Sequence, residues 1–185
     1  CISSAASDVY KRQSLTGTTG LDGRLEERLI DALLIAFQEQ TNNDSGIFEA
    51  FGSVATSLNK RMRPYLSPIV STILDLLKHK SPLTRQHAAE LCEILIPVIE
   101  SCGESKMLDK LSVILYESFG EAYPEVLGSI IGAMSNIVSE TDISTMQPSI
   151  NQILPTLTPI LRNRHRKVQV NTCLLYTSPS PRDCS

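Results

Sequence analysis

The sequence predicts an all-α solenoid of stacked helix pairs, and three observations carry that prediction. Apolar side chains recur three and four residues apart over long segments, the spacing of one buried face on an α-helix. Shifting the 185-residue sequence against itself by 42 brings those faces into register. Proline and short polar clusters fall where one segment ends and the next begins.

The elements follow in order. A first helix over 24–41 carries Leu25, Leu29, Leu33 and Phe37 at helical spacing, with Asp22 placed to cap it. A second over 44–60, capped by Asp44, aligns Ile47, Phe48, Phe51 and Val54 with Ala88, Ala89, Cys92 and Leu95. The next pair, 64–79 and 82–100, opens its second helix with Pro82, where a missing N–H costs nothing. Its first helix bears Leu66, Ile69, Ile73 and Leu77, which align 42 residues on with Leu108, Leu111, Leu115 and Phe119. That third pair, 105–119 and 123–139, again starts its second helix at a proline, Pro124, and places Ile130, Met134 and Ile137 under Ala88, Cys92 and Leu95. A last helix over 147–162 continues the column with Ile150, Ile153, Leu157 and Leu161, and Pro155 is expected to kink or break it. Beyond it only the stump of a partner helix remains, up to Thr172.

A unit of about 42 residues with two helices reads as a HEAT repeat, because tetratricopeptide and ankyrin units are shorter, at about 34 and 33 residues. Armadillo units are the near neighbour, but a distinct third short helix is missing. The chain thus holds about three and a half helix pairs of ~42 residues. One pair cannot bury its own stripe, so neighbours supply the core. With the stump cut short, Ile153, Leu157 and Leu161 are expected to lack a cover, leaving apolar surface at both ends.

The two ends read differently. Asp8–Gln13 can be encoded GAT GTG TAT AAG AGA CAG, and the complementary strand, shifted by one base, encodes Cys173–Ser178. One DNA element read on opposite strands resembles the transposase adapter of sequencing libraries. Residues 1–13 and 173–185 are therefore read as non-native adapter-derived segments, and 14–172 as a HEAT-repeat solenoid fragment. The adapter-derived ends are expected to hold no structure tied to the solenoid.

Charge and cysteines narrow the functional classes. The chain carries 17 Lys and Arg against 20 Asp and Glu, net −3, and setting the two ends aside moves this to −4. Such mild acidity selects no partner. Cys92 and Cys102, the cysteines outside the ends, form no disulfide framework or zinc spacing. No run spans a bilayer, and no phosphate-cradling glycine loop or His-carboxylate constellation marks an enzyme, metal site or cofactor. Gly128 and Gly132 in "GSIIG" read as a close helix contact, His87 as a surface or edge histidine, and Cys92 as core. Charge clusters hold the only functional content. The turn "RNRHRK" gathers Arg162, Arg164, His165, Arg166 and Lys167, and "KHK" supplies Lys78 and Lys80 on the same edge. They read as solvated turns, as contacts to nucleic-acid phosphate, or as contacts to an acidic protein surface.

The strings "LIDALLIAFQEQT", "YPEVLGSIIGAM" and "LTPILRNRHRKVQ" resemble the splicing factor 3B subunit 1 family, and the likeness runs from about Leu21 to Thr172. That resemblance implies a nuclear scaffold of the spliceosome for pre-mRNA splicing, with sister splicing factor 3b subunits on its surface. It also implies a clamp on the duplex of small nuclear RNA and pre-mRNA branch site, with no small-molecule substrate. A generic HEAT protein–protein adaptor, of transport-receptor or phosphatase-scaffold type, is the alternative that periodicity alone allows.

Overall fold

The structure, a computed structural model, describes residues 20–39, 45–142 and 144–177, so Asp44, residues 1–13 and residues 178–185 lie outside the described residues. The chain divides into two compact units, Cys1–Gln40 and Thr41–Ser185. In the first, α1 spans Gly20–Glu39. It begins ahead of Asp22, which is inside the helix and not at its cap. Its buried side chains are Ile30 and Phe37, while Leu25 and Leu29 are 57% and 45% exposed. The expected stripe is rotated. Apolar residues occupy several faces of this helix, and spacing alone does not choose among them.

In the second unit α2 spans Ser45–Leu58, α3 Arg63–Leu76, α4 Pro82–Ser101 and α5 Ser105–Glu117. Then come α6 (Pro124–Glu140), α7 (Ile150–Ile160) and α8 (Arg166–Thr177), with no strand among the described residues. The fold is an all-α HEAT solenoid, as the periodicity predicts. Helices α2, α4, α6 and α8 pack side by side, and α3, α5 and α7 back α4, α6 and α8. The first-helix column Ile69, Leu111 and Ile153 is fully buried, as is the second-helix column Leu95 and Ile137. Each such side chain contributes about 1.5–3 kcal/mol. Pro82 and Pro124 stand at the first helical positions of α4 and α6. The Ser81 hydroxyl accepts from the Thr84 N–H, a cap that helps start α4.

Two expectations about the last unit are corrected. The first concerns a break at Pro155: α7 runs as one helix through Pro155 and Pro159, so of the expected kink or break the break does not occur. Hydroxyls reinforce this stretch, with Thr156 donating to the Gln152 carbonyl at 3.2 Å and Tyr176 to the Leu154 carbonyl at 3.1 Å. The second correction concerns its partner. α8 continues through Cys173–Thr177, and Leu175 is 2% exposed. Ile153 and Leu157 are therefore covered, and only Leu161 stays open, at 41%. The segment after Thr172 packs on the solenoid because Val168, Thr172 and Leu175 fall at helical spacing and continue one buried face.

Candidate nucleic-acid interface

The turn between α7 and α8 is built from backbone geometry. Arg162 and Asn163 donate their N–H groups to the carbonyls of Pro159 and Ile160, closing the end of α7. The Asn163 side-chain oxygen accepts from the His165 N–H at 2.9 Å, and the His165 carbonyl accepts from Gln169 to open α8. This local logic projects Arg162, Arg164 and Arg166 into solvent. Three exposed guanidiniums within five residues give this turn a concentrated positive charge.

Lys167 and His165 differ from the free cations the sequence suggests. The Lys167 ammonium donates to a Glu90 carboxylate oxygen and to the Ser129 hydroxyl, both at 2.8 Å. Burial pushes the Glu90 carboxyl up, but hydrogen bonds from Lys167 and Gln86 outweigh it and hold the group below its usual range. Neighbouring Glu93 is raised, chiefly by burial. His165 lies 3.0 Å from the Glu125 carboxylate through its Nε2. Two of the five residues on this turn are thus tied into α4 and α6.

Lys78 and Lys80 are exposed on the turn between α3 and α4. Arg85 fixes that turn, donating to the carbonyls of His79 and Lys80 at 2.8 and 3.0 Å. The same guanidinium grips Glu121 through two bonds at 2.7 and 3.0 Å, holding that carboxyl below its usual range. It also lies 5.7 Å from the centre of the Tyr123 ring. The intervening turn, 118–123, carries Glu121 and neither Lys nor Arg. The two basic turns are therefore separated by a turn without a cation, whose Glu121 is already paired with Arg85.

Residues outside the basic strings complete the arrangement. A Cβ at Gly128 would lie 2.7 Å from the Lys167 side chain, and one at Gly132 would lie 2.9 Å from the Asn171 amide. Asn171 donates to the Gly128 carbonyl at 2.7 Å. The "GSIIG" string is thus the close contact the sequence suggests. Its counterparts Glu90 and Asn171 carried no motif, and only their polar position on a helix flank marked them. Among the described residues no cluster of His, Cys, Asp and Glu could hold a metal, and no helix is long and apolar enough to cross a membrane. Cys92 is fully buried and packs as core, and that burial pushes its thiol up to about 12.

No protein-family model matches the chain. Over 164 residues, 89% of its length, the chain is 69% identical to the U2 snRNP component HSH155 of Saccharomyces cerevisiae, of which it covers 17%. Over 156 residues, 84% of its length, it is 52% identical to the U2 snRNP component prp10 of Schizosaccharomyces pombe, of which it covers 13%. The chain therefore spans less than a fifth of either relative. Over more than four-fifths of its own length, the chain is a homologue of one segment of these U2 snRNP components.

Proposed function

We propose that this chain is a scaffold segment for pre-mRNA splicing, acting in the nucleus within the U2 particle of the spliceosome and not as an enzyme. The observation that carries the reading is 69% identity to a U2 snRNP component across 89% of the chain. A generic adaptor would share the helical period but not that identity. In this role the solenoid holds sister splicing factor 3b subunits on its surface and approaches the duplex of small nuclear RNA and branch site. Grafting residues 20–172 into HSH155 in place of its matching segment tests the assignment. The chimaera is expected to support splicing of a reporter in yeast, whereas a HEAT segment of equal length from a transport receptor is not. Failure of the chimaera, or equal success of the unrelated segment, overturns it.

The RNA-facing part of the proposal rests on Arg162, Arg164 and Arg166, with Lys78 and Lys80 as a second patch. Reversing the three arginines to Glu is expected to weaken binding of an A-form duplex and flatten its log–log salt dependence. The change is roughly 2–3 units, at about 0.9 per phosphate contact on the duplex scale. Sequence preference is expected to survive, because A-form duplexes are met through shape and backbone. An unchanged salt slope with intact helicity returns these turns to ordinary solvated surface. The reading of residues 1–13 and 173–185 as translated adapter is likewise a proposal, and sequencing the uninterrupted transcript tests it.

A further inference from the structure

Among the described residues, side-chain ties between repeats join nearest neighbours at several places, and the Lys167–Glu90 tie skips a repeat. Asn59 accepts from Ser101, Arg63 pairs with Glu104, and Asn136 donates to the Glu93 carbonyl, each about one repeat apart. Lys167 on α8 instead reaches Glu90 on α4, 77 residues away, with α6 between them. Its aliphatic stem crosses α6 at Gly128, where even a Cβ would come within 2.7 Å of it. Ser129, fully buried, takes a bond from the ammonium, and its single hydroxyl hydrogen has two acceptors in reach, the same Glu90 oxygen at 3.3 Å and the Glu125 carbonyl at 3.2 Å. The glycine thus leaves a passage for the lysine, and the serine hydroxyl holds the ammonium beside Glu90.

We propose that the Lys167–Glu90 pair is a curvature lock, a next-nearest-neighbour tie that fixes how strongly the stack from α4 to α8 bends. A solenoid bends by small rotations between successive units, so a nearest-neighbour contact senses one rotation and this tie senses two. Its hydrogen bond is 2.8 Å long, and opening by about 1 Å takes it beyond bonding range. The pair is also partly open to solvent, with side chains 31% and 28% exposed. Salt therefore reaches it, at a screening length of about 3 Å in 1 M salt. A purely stabilising contact would shift the melting point, whereas a lock also changes the geometry of the folded state.

The test uses the 185-residue chain with Cys1, Cys173 and Cys184 replaced by Ser and spin labels at Thr56→Cys and Gln169→Cys. Cys92 and Cys102 are buried. Electron–electron distance distributions are measured at low and at 1 M salt. The unlocked form is expected to show a broader distribution, shifted by at least about 2 Å, when salt screens the pair. Lys167→Met keeps the stem over Gly128 and removes the charge, and Glu90→Gln removes the other partner. Both single variants and the double variant are expected to show the high-salt distribution already at low salt, with the salt response lost. Should Lys167→Met unfold α8, Glu90→Gln decides alone. Unchanged distances in folded variants overturn the lock, as does a loss of α8 helicity in both, which would make the pair a structural prop.

Discussion

His87 is 3% exposed, its ring edge-on to Phe48 with centroids 4.9 Å apart. Burial lowers its pKa below the ordinary 6.5, and Glu90 only partly opposes that shift. The folded chain therefore prefers the neutral ring, while the unfolded chain takes up a proton at the ordinary value. Stability linked to His87 is complete above 6.5 and is lost as pH falls from 6.5 towards the lower folded value. His87→Phe is expected to flatten the stability profile between about pH 5 and 7, read by urea denaturation at each pH. An equally steep profile in the variant would assign the acid sensitivity elsewhere. This burial was not legible in the sequence, where His87 reads as a surface or edge residue. Its counterpart one repeat on, Ser129, is also buried. Central second helices are flanked on both sides, so their polar flanks go inside as well as their apolar stripe. The inward pairing of Lys167, a candidate contact by sequence, was not legible for the same reason: its charge marks a surface residue until a facing carboxylate and a glycine passage are known.

Helix α8 shows what residue patterning could and could not say about an element. The columns through α3 to α7 were legible because a repeating unit tests each position several times. α8 had no such test beyond Thr172, where codon reading set the expected boundary while the side chains kept their helical spacing. Leu175→Ala is expected to cost about 2–3 kcal/mol, the low side of buried leucine truncations, since an end helix relaxes more easily than a central one. Leu174, 53% exposed on the same turn, is expected to change by less than about 0.5 kcal/mol when made Ala. Equal losses from both, measured by chemical denaturation, would show that α8 is not seated on α6 and α7 as described. Between α4 and α5, Gly103 takes φ +72°, a conformation that glycine reaches without strain. In α1, by contrast, apolar residues on several faces left the buried side undetermined, and of the expected stripe Phe37 is buried while Leu25 and Leu29 are exposed.

At the scale of the unit Thr41–Ser185, packing runs mainly between the second helices of neighbouring repeats, α4 with α6 and α6 with α8, and the 42-residue period recurs in the bonds themselves. Ser101 bonds Asn59 at a separation of 42, and Asn136 bonds Glu93 at 43. That regularity made the repeat legible, while the pairing of particular cations depended on contacts two units apart and was not. A stack of this kind behaves as a one-dimensional chain of coupled units, so damage spreads according to position. α6 lies between α4 and α8 and is buried without interruption from Val126 to Ser135. Ile130→Ala should therefore loosen the packing on both of its sides. Hydrogen exchange is expected to quicken in α4, α6 and α8 together, by factors that follow the global stability loss. Leu175→Ala sits at the end of the stack, and its faster exchange is expected to stay within α7 and α8. The lost free energy can be matched between the two variants by choosing conditions, which leaves position as the difference between them. If both variants accelerate exchange uniformly from α2 to α8, the unit unfolds as one cooperative body, and nearest-neighbour coupling is too strong for its repeats to act separately.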